Sequence, residues 1–158
     1  MTVRKILSWA AVILWMIIIF SLSAQVAEES EQLSSGITGI IIKAVEKFAV
    51  NIHLDVGNLN HMVRKNAHFL AYFVLGILTS NAFGTIGLRG YRNIFAALLI
   101  CILYAASDEA HQLFVPGRSG EVKDVLIDST GAGAGIGVYL LFLGCICRRR
   151  NRAGKSAG

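Results

Sequence analysis

Four long apolar stretches, set apart by polar segments, dominate the pattern of this chain. Ile6 to Leu22 follows Arg4 and Lys5, Ala67 to Gly84 follows Arg64 and Lys65, and Val125 to Cys147 precedes Arg148, Arg149 and Arg150. A helix rising about 1.5 Å per residue needs roughly 20 mostly apolar residues to cross the hydrocarbon core, and these three runs meet or approach that length. Ile94 to Ala106 is too short by itself. A third crossing in chain order therefore has to continue through Ser107, Asp108, Glu109, Ala110, His111, Gln112, Leu113 and Phe114, which carries carboxylates to membrane depth. The pattern predicts an all-α membrane protein, a four-transmembrane-helix bundle whose short second and third connections favour an antiparallel up-down order. The first run also resembles a signal peptide, with Ser21-Leu22-Ser23-Ala24 as a cleavage site, but its length favours an uncleaved anchor.

Between the first two spans lies the longest connection, Gln25 to Asn66, opening with Glu28, Glu29 and Glu31. Within it Ile37, Ile40, Ile41, Ala44, Val45 and Phe48 recur at helical spacing, with Lys43, Glu46 and Lys47 on the opposite face. This predicts a short interfacial amphipathic helix in the first outer loop, resting on lipid or on the ends of the bundle. The chain then reads as a transmembrane domain, 1–147, and a basic cytoplasmic tail, 148–158, with Asn151 to Gly158 expected to be mobile.

Composition agrees with lipid as the solvent. Of 158 residues, 54% are hydrophobic and 16% charged, where a soluble domain carries about a quarter charged. The net charge of +5 does not point to nucleic acid, because no basic cluster is interleaved with stacking aromatics. It points to topology. With both termini inside, the inner segments hold nine cations and no acid, while the outer side holds six cations and all ten acids. Cations retained on the inner side set orientation, so a multi-pass membrane protein with both termini cytoplasmic is expected.

Polar residues inside the spans carry the candidate chemistry. Arg64, His68 and Tyr72 follow at i, i+4 and i+8 along one face of the second span; Asp108 and Gln112, with Glu109 beside them, mark the third; Asp124 and Asp128 mark the fourth. All three sets fall near the outer end. A charge in hydrocarbon costs about 2.5–3.5 kcal/mol even on the lenient insertion scale, so these groups should face the interior and find partners. The cations at hand are Arg64, Lys65 and Arg118, and Arg118, in the turn Val115-Pro116-Gly117-Arg118-Ser119-Gly120, is placed to fold its guanidinium back over the carboxylates. Such a cluster serves either to lock helices together or to bind and act on something.

Other chemistries find less support. His68, Glu109, Asp124 and Asp128 are all metal-ligating types, but no compact ligand spacing accompanies them and nearby cations compete for the carboxylates, so no metal is expected. Ser107, Ser119 and Ser129 lack an activating context such as GxSxG. Gly131-Ala132-Gly133-Ala134-Gly135-Ile136-Gly137 is not a phosphate loop, since no Lys-Ser/Thr follows. Its small-xxx-small pairs, Gly131/Gly135 and Gly133/Gly137, suit close helix packing. Cys101, Cys145 and Cys147 lie in apolar runs and receive no role.

These residues resemble a known family, the VanZ-like membrane proteins. Arg64-Lys65-x-x-His68-Phe69-x-x-Tyr72-x-x-Leu75-Gly76 is similar to its second-span signature, and Asp108-Glu109-x-x-Gln112-x-Phe114-x-Pro116-Gly117-Arg118, then Asp124 and Gly131, to its third-to-fourth-span signature. Phe20-Ser21-x-Ser23-x-Gln25 resembles the end of its first span. Two positions depart: Ala71 stands where an acidic residue often precedes the tyrosine, and Asp128 where asparagine is common. The resemblance implies an integral membrane protein of the bacterial envelope, linked through the founding member to teicoplanin-type glycopeptide resistance. No cofactor follows, since no coenzyme A site is recognisable and the cluster faces away from the cytoplasm.

Two functional readings result. In the first, the outward cluster binds a membrane lipid head group, a lipid-linked envelope precursor or the lipid tail of a glycopeptide, with Arg64, Tyr72, Gln112, Arg118, Asp124 and Asp128 as ligand-binding residues. In the second, the protein is a hydrolase or transferase acting on a lipid-linked substrate, with His68 and Asp108 or Glu109 as acid–base catalysts.

Overall fold

The computed structural model describes residues 2–25, 32, 35–40, 56–116 and 120–155. Four long helices carry the architecture: α1 (Thr2–Ser23), α2 (Val56–Thr85), α3 (Tyr91–Gln112) and α4 (Val122–Lys155). Each contains a segment long and apolar enough to cross a membrane, namely Val3–Ser23, Met62–Thr85, Tyr91–Gln112 and Val122–Ile146. No strand occurs among the described residues. The predicted fold class therefore holds, and the third crossing does run through Ser107, Asp108 and Glu109 to Gln112.

Two helices extend beyond their apolar runs. Helix α2 begins at Val56, well before the apolar run that starts at Ala67, because no proline and only Gly57 interrupts the chain up to Leu75; Arg64 lies in it with His68 and Tyr72, as their spacing predicts. Helix α4 runs past the apolar stretch, through the arginines to Lys155. In the connection between α1 and α2, residues 35–40 are helical, with Thr38 buried and Ile37 and Ile40 exposed. The rest of the expected amphipathic helix, Ile41 to Phe48, lies outside the described residues.

The helices alternate in direction. The start of α1 meets the end of α2 around a cavity of about 240 Å³ lined by Arg4, Lys5, Gly84, Thr85 and Arg89, while Ser23 at the far end of α1 meets Gln112 at the end of α3. Five residues reverse the chain between α2 and α3, helped by Gly87 (φ 99°) and Gly90 (φ 58°), which occupy a backbone region that side chains penalise. Buried Asn93 ties this turn down, donating to the carbonyls of Ser80 (2.9 Å) and Leu88 (3.3 Å) and accepting from the Ser80 hydroxyl at 2.5 Å.

Helix α2 is the hub, packing against the other three. Its tightest partner is α4, which runs parallel to it. At Gly131 and Gly135 an added Cβ would fall on the carbonyl oxygens of Phe69 and Phe73, and at Gly76 of α2 it would fall on that of Ala132. Small residues let two backbones approach this closely where lipid supplies no hydrophobic drive for association. The second glycine pair behaves otherwise: a Cβ at Gly133 or Gly137 meets nothing within 4 Å, because both lie round the helix from the α2 contact.

Helix α1 is fastened by hydrogen bonds to backbone carbonyls and by rings. Trp15 Nε1 donates to the Ala71 carbonyl at 2.8 Å, the Tyr104 hydroxyl of α3 donates to that of Met16 at 2.5 Å, and Trp9 meets Phe83 edge-on at 5.2 Å. Between helices sits a small core including Val12, Ile19, Leu75, Cys101, Ala105 and Ala132. The exterior is apolar, with Leu7, Leu14, Leu70, Phe95, Leu103, Leu141 and Phe142 all exposed, as lipid-facing surfaces require.

Matched substitutions separate the two glycine pairs. Gly135→Ala drives a methyl into the α2 backbone and is expected to destabilise the protein in lipid discs by about 1–3 kcal/mol. Gly133→Ala is expected to leave the thermal unfolding midpoint unchanged or raise it, since alanine favours helix.

Candidate functional site

Three helices turn polar at one level because each carries polar side chains four residues apart near the same end of the bundle. On α2, His68 and Tyr72 share a face; on α3, Asp108 and Gln112 do; on α4, Asp124 and Asp128 do. The fold brings His68, Asp108 and Asp128 together, with one ligand-type atom from each lying within 4.8 Å of the others. His68 Nδ1 stands 3.7 Å from Asp128 Oδ2. Asp108 is 2% exposed and Asp128 1%, so both carboxylates are removed from solvent.

One turn deeper, Tyr72 is fully buried, its ring 6.1 Å from that of Tyr104 and within electrostatic reach of Asp108 and Asp128. No described group hydrogen-bonds its hydroxyl, nor Oδ1 of Asp128. Buried polar groups are nearly always satisfied, and removing the partner of a buried charge costs about 3–5 kcal/mol, so orphaned oxygens mark a place where something else is accommodated.

The remaining candidates surround this centre. Glu109 Oε1 accepts the backbone N–H of Glu121 at 2.5 Å, just ahead of α4, where helix N-terminal donors otherwise lack partners. This fastens the α3–α4 connection across the top of the site. Gln112 Nε2 donates to the hydroxyl of Ser23 at 2.8 Å, tying α3 to α1. Asp124 sits 3.0 Å from Lys65 Nζ, which also lies 3.9 Å from Glu121. Among the described residues it is therefore Lys65, rather than Arg64, that pairs with α4. Arg64 is half-buried one turn above His68, and Arg118 lies outside the described residues.

Sequence reasoning missed Ser23 and Glu121, whereas the pairing of Lys65 with a carboxylate of the cluster was expected. Ser23 carried a usable signal, being a hydroxyl at the end of the first span at the depth of the other polar groups. Glu121 offered none, since its backbone rather than its side chain makes the bond to Glu109.

Chemically, the arrangement offers one imidazole and two buried carboxylates at a common point, with a phenol one turn deeper and a rim bearing Lys65, Asp124 and Glu121. It can hold a polar or charged group, position a cation, or relay a proton between His68 and Asp128. In comparison with known proteins, neither the curated proteins nor the solved structures yield a match. A family model described as VanZ/LLP1 matches residues 8–143, a stretch that includes His68, Tyr72, Asp108 and Asp128, and the chain belongs to the VanZ/LLP1 family.

Proposed function

We propose that this membrane protein resides in the bacterial cytoplasmic membrane with both termini cytoplasmic, and that the polar end of its bundle receives the head group of an envelope lipid or lipid-linked precursor from the outer face. The observation that carries the reading is the convergence of buried polar groups from α2, α3 and α4 at the bundle end remote from Arg4, Lys5 and Arg89. Nine cations in the segments assigned to the inside support that orientation. A head group sits at the depth where His68 and Asp128 lie, roughly one turn inside the membrane boundary, and Arg64 and Lys65 supply the rim cations that phosphate or carboxylate recognition uses. The family's association with teicoplanin-type resistance supports a glycopeptide tail or a cell-wall precursor as one occupant, with teicoplanin susceptibility of a deletion strain as the cellular readout.

The protein purified in native-like lipid discs is expected to carry an enriched amphiphile identifiable by mass spectrometry. Arg64→Ala removes a charged hydrogen-bond donor and should lower that enrichment about tenfold or more. Identical profiles for the two proteins would defeat the reading.

A second reading, acid–base catalysis on the same amphiphile, is favoured by the 3.7 Å approach of His68 to Asp128, in which the carboxylate orients the imidazole. If it holds, His68→Gln abolishes product formation from the enriched lipid while the lipid still co-purifies. Turnover that survives the substitution would exclude it.

A further inference from the structure

At the end of the bundle opposite the polar cluster, charge gathers with one sign only. Arg4 and Lys5 of α1, Gly84 and Thr85 of α2 and Arg89 of the α2–α3 turn line the cavity of about 240 Å³, whereas a single water needs about 10–15 Å³. Three cations from two separate segments thus face one concavity. Every acid among the described residues, namely Asp108, Glu109, Glu121, Asp124 and Asp128, belongs to the other end. From His68 to Thr85 helix α2 rises about 25 Å, which leaves those carboxylates out of reach. Among the described residues no carboxylate pairs with Arg4, Lys5 or Arg89. Like charges gathered round one hollow repel, and an anion placed between them relieves that repulsion.

Helix α2 does not need these cations for its own end. Basic side chains often satisfy the last carbonyls of a helix, but here the turn does so itself. The carbonyl of Ala82 accepts the Thr85 hydroxyl at 2.7 Å, that of Phe83 accepts the N–H groups of Ile86 (3.2 Å) and Leu88 (3.1 Å), and that of Gly84 accepts the N–H of Gly87 at 3.2 Å. One turn deeper, Asn81 donates to the Ser8 hydroxyl and accepts from the Tyr139 hydroxyl, each at 3.3 Å, so α1, α2 and α4 are joined beneath the cavity. The cations are therefore left for something from outside the chain. Arg4, Lys5 and Thr85 stand at the ends of the apolar spans Val3–Ser23 and Met62–Thr85, the level at which lipid head groups lie. Beside them Val3, Ile6, Leu7 and Ile86 are exposed, an apolar flank of the kind that acyl chains cover.

We infer that this cavity holds the phosphate of an anionic glycerophospholipid of the phosphatidylglycerol class, its acyl chains lying along the exposed flank of α1. The guanidinium groups of Arg4 and Arg89 grip phosphate oxygens in pairs, and Lys5 adds a point charge. A head group with its own ammonium would bring a fourth cation to a wall that offers no carboxylate, which disfavours zwitterionic lipids. On the orientation proposed above, the lipid belongs to the inner leaflet, where basic pockets between helices meet anionic head groups. The site depends neither on that orientation nor on what the opposite end receives.

Full-length protein, delipidated in neutral detergent, is titrated separately with dioleoyl phosphatidylglycerol, dioleoyl phosphatidylcholine and inorganic phosphate, and bound ligand is read by native mass spectrometry. Saturable binding of phosphatidylglycerol is expected, with the other two weaker by about tenfold or more. Arg4→Gln and Arg89→Gln each remove a charged hydrogen-bond donor and should weaken phosphatidylglycerol about tenfold or more. Arg92→Gln removes an equal charge from an exposed side chain that bonds the Tyr91 hydroxyl outside the cavity, and should leave binding unchanged. Helical circular dichroism and a single elution peak certify each variant; should one cavity variant fail to fold, the other and Lys5→Gln read the same outcome. Equal effects of the cavity variants and Arg92→Gln would reduce these arginines to topological charge and overturn the site. Phosphatidylcholine bound as tightly as phosphatidylglycerol, or inorganic phosphate bound as tightly as either, would overturn the assignment to an anionic lipid.

Discussion

The close approach of α2 to α4 is the contact on which the rest of the bundle depends. Gly131 and Gly135 let the carbonyls of Phe69 and Phe73 occupy the space a side chain would fill, and Gly76 does the same for Ala132. His68 immediately precedes Phe69, and Asp128 lies three residues before Gly131. The glycine contact therefore sets the distance between the imidazole and its carboxylate. A single methyl at Gly131 would lever α4 away at the level where the polar cluster forms. Packing that looks purely structural thus determines whether the site exists.

Around this pair the protein is arranged with polarity inward and apolar surface outward. Asn93, Ser80, Asp108 and Asp128 are buried while leucines and phenylalanines cover the exterior. In lipid an exposed leucine costs nothing and an exposed carboxylate costs several kcal/mol, so the interior becomes the natural place for ionisable groups. The consequence is a bundle whose interhelical contacts are made largely by small side chains, carbonyl-directed hydrogen bonds such as Trp15 to Ala71, and rings. Helix α1, the most lipid-exposed, is retained by such bonds and by Ser23, which joins it to the site through Gln112.

Much of the site was legible because helical periodicity projects a face. The spacing of Arg64, His68 and Tyr72, of Asp108 and Gln112, and of Asp124 and Asp128 places polar residues of three spans at one depth. Periodicity cannot say how each helix is rotated about its axis relative to its neighbours. That rotation directs Asp108 to the centre with His68, turns Glu109 to a backbone N–H, and gives Asp124 to Lys65. It also distinguishes Gly131 and Gly135, pressed on α2, from Gly133 and Gly137, which belong to the same glycine-rich run and touch nothing.

By itself the sequence determined the number of apolar spans, the helical class and the shared level of the polar residues, since each depends on composition and spacing along one dimension, and its motifs carried the family. The lengths of α2 and α4 beyond their apolar segments escaped it, because helix continues past the hydrocarbon wherever nothing breaks it. Only the tertiary structure decided that two parallel, non-consecutive helices form the tightest pair and that residues 68, 108 and 128 share one buried volume. The physical reason is that helix choice and rotation are settled by which backbones can approach most closely, a property of surfaces in three dimensions that no single helix carries in its own residue pattern.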